Sequence, residues 1–347
     1  MIQSFSLQSS VATILLCCVF NLNAAEAQTG LIPEMSRPAG TIEILDKAAL
    51  ALIDRSQQIL VRAEGYSWAE GPLWIADGGY LLFSDVPNNI IHRYEPGAGT
   101  RSYLEKSGAT GRYPDSSSEG SNGLLLDASG RLVILQHGDR RVALMDAALS
   151  APSPEYVTLA EDFDGKRLNS PNDGVYNSKG HLYFTDPPYG LPGGMTSESK
   201  ELAFQGIYLL RPDDSLQLLD DSVTYPNGIA LSPDESTLYL AVSDKSKAQW
   251  LTYDVMPDGS LSNQRVFHDA SSLVGQEGEP GLPDGLAVHS SGVLFATGPG
   301  GVWVFNPDGR VLAKIRTGKA TANCALSADE KVLFMTAHDT LMTLRLN

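Results

Sequence analysis

From residue 57 to the end of the chain, short apolar runs recur with turn residues between them, and the order of the runs repeats. Six times a small polar segment opens an apolar stretch: Glu70-Gly71-Pro72, Asn122-Gly123, Pro171-Asn172-Asp173, Pro226-Asn227-Gly228, Pro283-Asp284-Gly285 and Asn323-Cys324. About ten residues after each opening comes a β-branched and aromatic run, at 80–84, 131–135, 181–185, 238–242, 293–297 and 332–336. Hairpin signals such as Asp77-Gly78-Gly79, Ser129-Gly130, Lys179-Gly180 and Ser291-Gly292 sit between the two. Third strands are predicted at 90–94, 141–145, 206–210, 250–253, 301–305 and 341–344, and fourth strands at 101–104, 156–159, 216–219, 265–267 and 311–315. The sixth unit runs out of chain after three. Residues 58–62, where Ile59 and Val61 alternate with Leu60 and Arg62, supply the missing strand.

Six units of four strands, the last completed from the N-terminal side, predict an all-β, six-bladed β-propeller with antiparallel blades over residues 57–347. A β-sandwich with many hairpins is the alternative, but it gives no reason for the same polar position to head every unit. The propeller makes the body one domain, although the chain length of 347 residues alone would allow two.

Ahead of the repeat, residues 1–27 read as a signal peptide. The apolar run at 11–20 is about half of what a membrane span needs, and Ala25-Glu26-Ala27 fits a small-residue cleavage pattern before Gln28. No Lys or Arg precedes Arg37, which departs from the usual basic start. Export to the periplasm or the exterior follows as an expectation. Residues 28–56 read as a tether followed by one short helix, because Ile42, Leu45, Ala49, Leu52 and Ile53 recur at near-helical spacing. Cys17 and Cys18 would leave with the signal. Cys324 then stands alone, which excludes an intrachain disulfide and a thiolate metal site. The net charge of −16 argues against nucleic acid, whose binding depends on basic side chains releasing counterions. It also disfavours an anionic membrane surface, so no membrane partner is expected once the signal is removed.

In a propeller the innermost strand of each blade lines the central channel. Glu70, Asn122, Asn172, Asn227, Asp284 and Asn323 should therefore converge on one axis. Taken singly, Asn-Gly and Asp-Gly are ordinary turn dipeptides. Taken together they form a ring of oxygen-bearing side chains that includes two carboxylates and no Lys, Arg, Cys or His. Crowded carboxylates must be protonated or compensated by a cation. Hard oxygen donors suit one divalent ion, Ca²⁺ first, with Mg²⁺, Mn²⁺ or Zn²⁺ as alternatives.

Glu70-Gly71-Pro72 with Trp74, the segment 165–173 (GKRLNSPND), the run 183–190 (YFTDPPYG), Pro226-Asn227-Gly228 and Pro283-Asp284-Gly285 resemble the SMP-30/gluconolactonase/luciferin-regenerating-enzyme family, most closely its secreted bacterial gluconolactonases. The resemblance implies a catalytic divalent metal and hydrolysis of a sugar lactone such as D-glucono-1,5-lactone. By motif it implies metal ligands at Glu70, Asn227 and Asp284, with Asn172 as a further ligand or substrate contact and Asp284 as general base. Asn122, His137 and Arg167 are candidate substrate contacts, against bland readings as a turn residue, a satisfied histidine and a solvated charge. Gln136-His137-Gly138 departs from the Glu-His-Gly of related sequences, which implies a carboxylate missing near the channel mouth. Asn323-Cys324 lacks the usual glycine and could face another way. Trp74 and Trp303 fall in strand patterns and read as core. Rival functions are another ester or phosphotriester hydrolase and a non-catalytic binding propeller. No G-x-S-x-G motif supports a serine hydrolase. The expected partner is a small lactone, and the expected state a monomer or weak homo-oligomer.

Overall fold

A computed structural model describes residues 30–113 and 117–347. The expected signal peptide lies outside the described residues. The chain forms six antiparallel sheets of at least four strands, and each sheet is one blade of a propeller. Ala69–Ile75, Ser121–Leu126, Gly174–Tyr176, Pro226–Leu231, Leu286–Val288 and Thr321–Leu326 are the inner strands of blades one to six. The second strands are Tyr80–Asp85, Leu132–Gln136, Leu182–Asp186, Thr237–Val242, Leu294–Gly298 and Val332–Ala337. The predicted closure is present: Ile59–Glu64 pairs with Thr340–Arg345 as the fourth strand of blade six. Among the described residues there is no α-helix, and no helix long and apolar enough to cross a membrane.

The core lies between blades. Val133, Leu135 and Val142 of blade two pack with Leu182, Phe184 and Tyr208 of blade three. Second and third strands are covered on both faces, so they read as continuous apolar runs, not as an alternation. Each large side chain buried this way contributes roughly 1.5–3 kcal/mol. Trp303 packs in such an interface with Trp250 and Phe305. Trp74 stacks on Phe334 at 5.2 Å, as a core residue should.

The small residues of the repeat have a shared cause. A Cβ on Gly71 would lie 2.0 Å from the Asn122 carbonyl oxygen, and one on Gly228 would lie 2.1 Å from that of Asp284. Glycine thus lets neighbouring inner strands touch around the axis. These dipeptides are not turns. The ladder shifts register beside Glu70 and Asn227, so these two sit at bulges within strands, which re-aim a side chain, whereas Asn172 and Asp284 lie just ahead of their inner strands. Hydroxyls at the ends of second strands stitch one blade to the next. Ser84 Oγ donates to Asn122 O at 2.8 Å, Thr185 Oγ1 to Asn227 O at 2.8 Å and Thr297 Oγ1 to Ala322 O at 2.9 Å.

The N-terminal stretch differs from the expected tether and helix. Ile32–Pro33 adds an outer strand to blade one, Arg37–Ala39 to blade six and Thr41–Ile44 to blade five. A single 3₁₀ turn, Lys47–Ala51, follows and is capped by the Asp46 side chain. Ile42 therefore belongs to a strand, paired with Ile315. Ala49 and Ile53 are buried in the core between blades five and six. Open sheet edges offered unpaired backbone groups, and pairing with them overrode the weak helical spacing.

Candidate functional site

Three blades position their ring residue with the same device. Each carries Ser or Thr followed by Asp at the end of its second strand or just past it, and that carboxylate holds the loop that leads into its own inner strand. Asp85 accepts from the Ser67 and Trp68 N–H groups at 3.1 Å each, just before Glu70. Asp186 accepts from Asn169 N–H at 2.7 Å and Ser170 N–H at 2.8 Å, just before Asn172. Asp244 accepts from the Thr224 hydroxyl at 2.5 Å, before Asn227. Burial pushes the Asp186 carboxyl up, while the two backbone N–H groups pull it back. The segment 165–173 and the run 183–190 interlock here: Ser170 Oγ donates to Pro187 O and accepts from Gly190 N–H at 2.9 Å.

Glu70, Asn122, Asn172 and Asn227 are buried, and together with Asp284 they line a cavity of about 750 Å³ at one end of the channel. The amides form a chain. Asn122 Nδ2 donates to Asn172 Oδ1 at 2.9 Å, Asn172 Nδ2 to Asn227 Oδ1 at 2.6 Å, and Asn227 Nδ2 to Ser243 Oγ at 2.9 Å. His137 Nε2 lies 3.1 Å from Asn172 Oδ1, and its Nδ1 lies 3.2 Å from Glu119 Oε2. Glu70 accepts from Trp68 Nε1 at 3.3 Å and from Gly71 N–H at 3.1 Å.

The carboxylates are under-compensated. Burial pushes the Glu70 carboxyl up. Burial, then the charges of Glu70 and Asp173, push Asp284 well above the usual carboxylate range. Asp284 Oδ1 and Asn122 Oδ1 are buried without a hydrogen-bond partner. Among the described residues no group of three or more His, Cys, Asp and Glu forms a metal site. Any cation held here would need amide oxygens as well as carboxylates. Two acids, several amide oxygens and an orphaned carboxylate oxygen fit a hard divalent ion in that way.

Several expectations need correction. Arg167 does not line the cavity. It lies in the short hairpin strand Lys166–Arg167, with its guanidinium over the Tyr113 ring at 3.9 Å. Gln136 is not at the channel mouth either. It is fully buried within blade two, where Nε2 donates to Ser107 O and Oε1 accepts from Arg141 Nε at 2.6 Å. A carboxylate there would pair with Arg141 and not with a ligand. Asn323 does not line the cavity, yet it stays with the ring: its side chain covers Gly285, its Oδ1 accepts from Cys324 N–H at 2.8 Å, and it lies beside the Glu70 and Asp173 carboxyls.

Other features escaped the sequence reading. Asp173 is a third acid on the axis, raised to about 7 by burial and by the charge of Glu70. Trp68, Tyr189, Tyr225 and Glu119 line the cavity. Only the run 183–190 pointed toward any of them.

A six-bladed propeller whose inner strands bring carboxylates and amides to one channel-end cavity defines a class of single-site propellers. The family described as "SMP-30/Gluconolactonase/LRE-like region" matches residues 68–339, and the chain belongs to that family. It is 35% identical over 299 residues to a gluconolactonase of Zymomonas mobilis, covering 85% of this chain and 83% of that one. It is 26% identical over 287 residues to a regucalcin of Xenopus laevis, covering 80% and 85%. A solved gluconolactonase structure from Xanthomonas campestris superposes with a TM-score of 0.77 at 30% identity, covering 91% of this chain and 98% of that one.

Proposed function

We propose that the protein is a lactone hydrolase that opens a sugar lactone, D-glucono-1,5-lactone or a similar aldonolactone, to its aldonic acid with the help of one divalent cation, Ca²⁺ first. The observation that carries this reading is the orphaned Asp284 Oδ1 facing a cavity beside a second buried carboxylate. A purely structural or binding propeller gains nothing from unpaired acids at its channel end. Likeness to gluconolactonases over most of the chain supports the substrate class.

Glu70, Asn227 and Asp284 would hold the ion, with Asn172 beside them. When bound, the ion polarises the lactone carbonyl and offsets the two carboxylate charges. Asp284 accepts the proton of the attacking water as its oxygen bonds to the carbonyl carbon. The ring C–O bond then breaks, and the departing alkoxide takes up a proton, giving the hydroxy acid. Asn122 and His137, which line the cavity, would contact hydroxyls of the sugar ring. Asn172 is held between them by its two contacts.

A pH-indicator assay on metal-stripped and Ca²⁺-loaded protein tests the reading, with an aryl ester and a phosphotriester as controls. Turnover of the lactone that vanishes with chelator and returns with Ca²⁺ is expected. Equal rates in both forms would remove the metal, and turnover of the controls alone would reassign the substrate. The apolar run and cleavage pattern at 1–27 support export. Edman sequencing of protein recovered outside the cytoplasm should begin at Gln28.

A further inference from the structure

Three cavity-lining groups are buried without a hydrogen-bond partner, and they differ in kind. Asn122 Oδ1 and Asp284 Oδ1 are acceptors, whereas the Tyr189 hydroxyl carries a hydrogen to give. Three other donors nearby are committed. Ser243 Oγ donates to Pro283 O at 2.5 Å, Trp68 Nε1 to Glu70, and Thr321 Oγ1 is paired with Thr317 Oγ1 at 2.7 Å. A phenol is protonated at neutral pH. Tyr189 therefore presents an O–H, beside Asn227 and Ser243 and within the field of Asp284.

An ester group carries two acceptor oxygens and no donor. A cation or a water can satisfy the two orphaned acceptors, and of these three buried groups the phenol alone can donate to the ester itself. We propose that Tyr189 is a catalytic hydrogen-bond donor to the carbonyl oxygen of the bound lactone, stabilising the negative charge that develops there while keeping its own proton. This rests on the lactone reading above and adds a residue to it.

The phenol is preorganised, as such a donor must be. Its ring stacks on Tyr225 at 5.9 Å between centroids and 21° between planes. The turn that carries it is fixed to the Asn172 loop through Ser170 and Asp186. Gly190, next in the chain, is pressed against His137, where a Cβ would come within 2.6 Å of the His137 Cβ. Phenol and ring amides are thus tied to one another by direct contacts.

Tyr189→Phe removes one oxygen and keeps the stack. We expect kcat to fall about 100-fold on glucono-1,5-lactone, in line with the loss of one oxyanion donor. The fall should be similar on δ-valerolactone, which lacks hydroxyls. The unfolding midpoint and the Ca²⁺ affinity by calorimetry should match wild type. A kcat within twofold of wild type overturns the proposal. So does a loss confined to the hydroxylated substrate, which would place the phenol on a sugar hydroxyl. Lost Ca²⁺ affinity overturns it too, by placing the phenol among the ion's ligands. Wild-type protein that opens neither lactone overturns the underlying function as well, whereas an active wild type with an unaffected variant overturns Tyr189 alone.

Discussion

Blades three and five bring their ring residues to the same cavity by opposite means. In blade three, Asp186 fastens the backbone ahead of Asn172 with two short hydrogen bonds, and Asn172 spends its amide on its neighbours. In blade five the second strand ends in Thr297-Gly298, with no acid to fasten the loop. Asp284 is held through its backbone, its N–H donating to Thr297 O at 3.1 Å, and its Oδ1 is bonded to nothing. One acid is satisfied and positions a neighbour. The other is left unsatisfied, which costs stability and gives reactivity. Side chains of one type at nearby points of the repeat thus divide scaffold from chemistry.

The contrast breaks most sharply at Asp284. Asp284→Asn should lower kcat/KM by about 10³, within the range for loss of a general base. The same change should raise the unfolding midpoint of metal-free protein, because it removes a carboxyl whose ionisation burial and the charges of Glu70 and Asp173 oppose. Calorimetry in chelator and a pH-stat assay read the two effects. A variant that keeps its turnover would end the assignment.

Asp186→Ala should act in the reverse sense, lowering stability and activity together. It leaves the Asn169 and Ser170 N–H groups buried and unpaired, at about 1–3 kcal/mol each. Denaturant melts beside kcat/KM would show this, and unchanged stability would mean that the clamp is dispensable.

Ca²⁺ at a hundredfold excess over its Kd should stabilise wild type by about 2.7 kcal/mol. Asp284→Asn should lose most of that gain. Thermal melts across a Ca²⁺ titration test it, and an equal gain in both proteins would place the ion elsewhere.

The smallest effect concerns blade one, where His92 packs on Tyr66 and Phe83 with its Nε2 4.0 Å from Asp85. Burial holds this imidazole below its ordinary value, against the pull of Asp85. The folded state therefore binds the proton less well than the unfolded chain. Its stabilising contribution is present above pH ~6.5 and is lost as acid protonates it. His92→Phe keeps the ring contacts and should flatten the fall in unfolding midpoint between pH 7 and pH 5. An unchanged slope would move the acid sensitivity to another group.

The blades were legible in sequence because inter-blade packing forces continuous apolar runs, and because close approach at the axis forces glycine after the ring position in blades one, two, four and five. Glu70, Asn122, Asn172, Asn227 and Asp284 followed from that register. Arg167 did not, since a two-residue hairpin strand carries no apolar pattern to locate it and its guanidinium found an aromatic face outside the cavity. The outer strands from the N-terminal stretch were hidden as well. Their pairing depends on edges that exist only once the blades have formed. Tyr189 stood in a recognisable motif, but its use depends on which neighbours have already spent their hydrogens, and that is a property of the assembled cavity.

Asn347 N–H donates to Leu52 O at 2.9 Å, and the last strand of the chain lies against Ile59–Glu64. During synthesis Ile59–Glu64 must wait for its partner within the ring until residues 340–345 have been made. The ring locks only when these two segments meet, so a chain cut before residue 340 would free residues 59–64 from the blade as well as lose its own last strand.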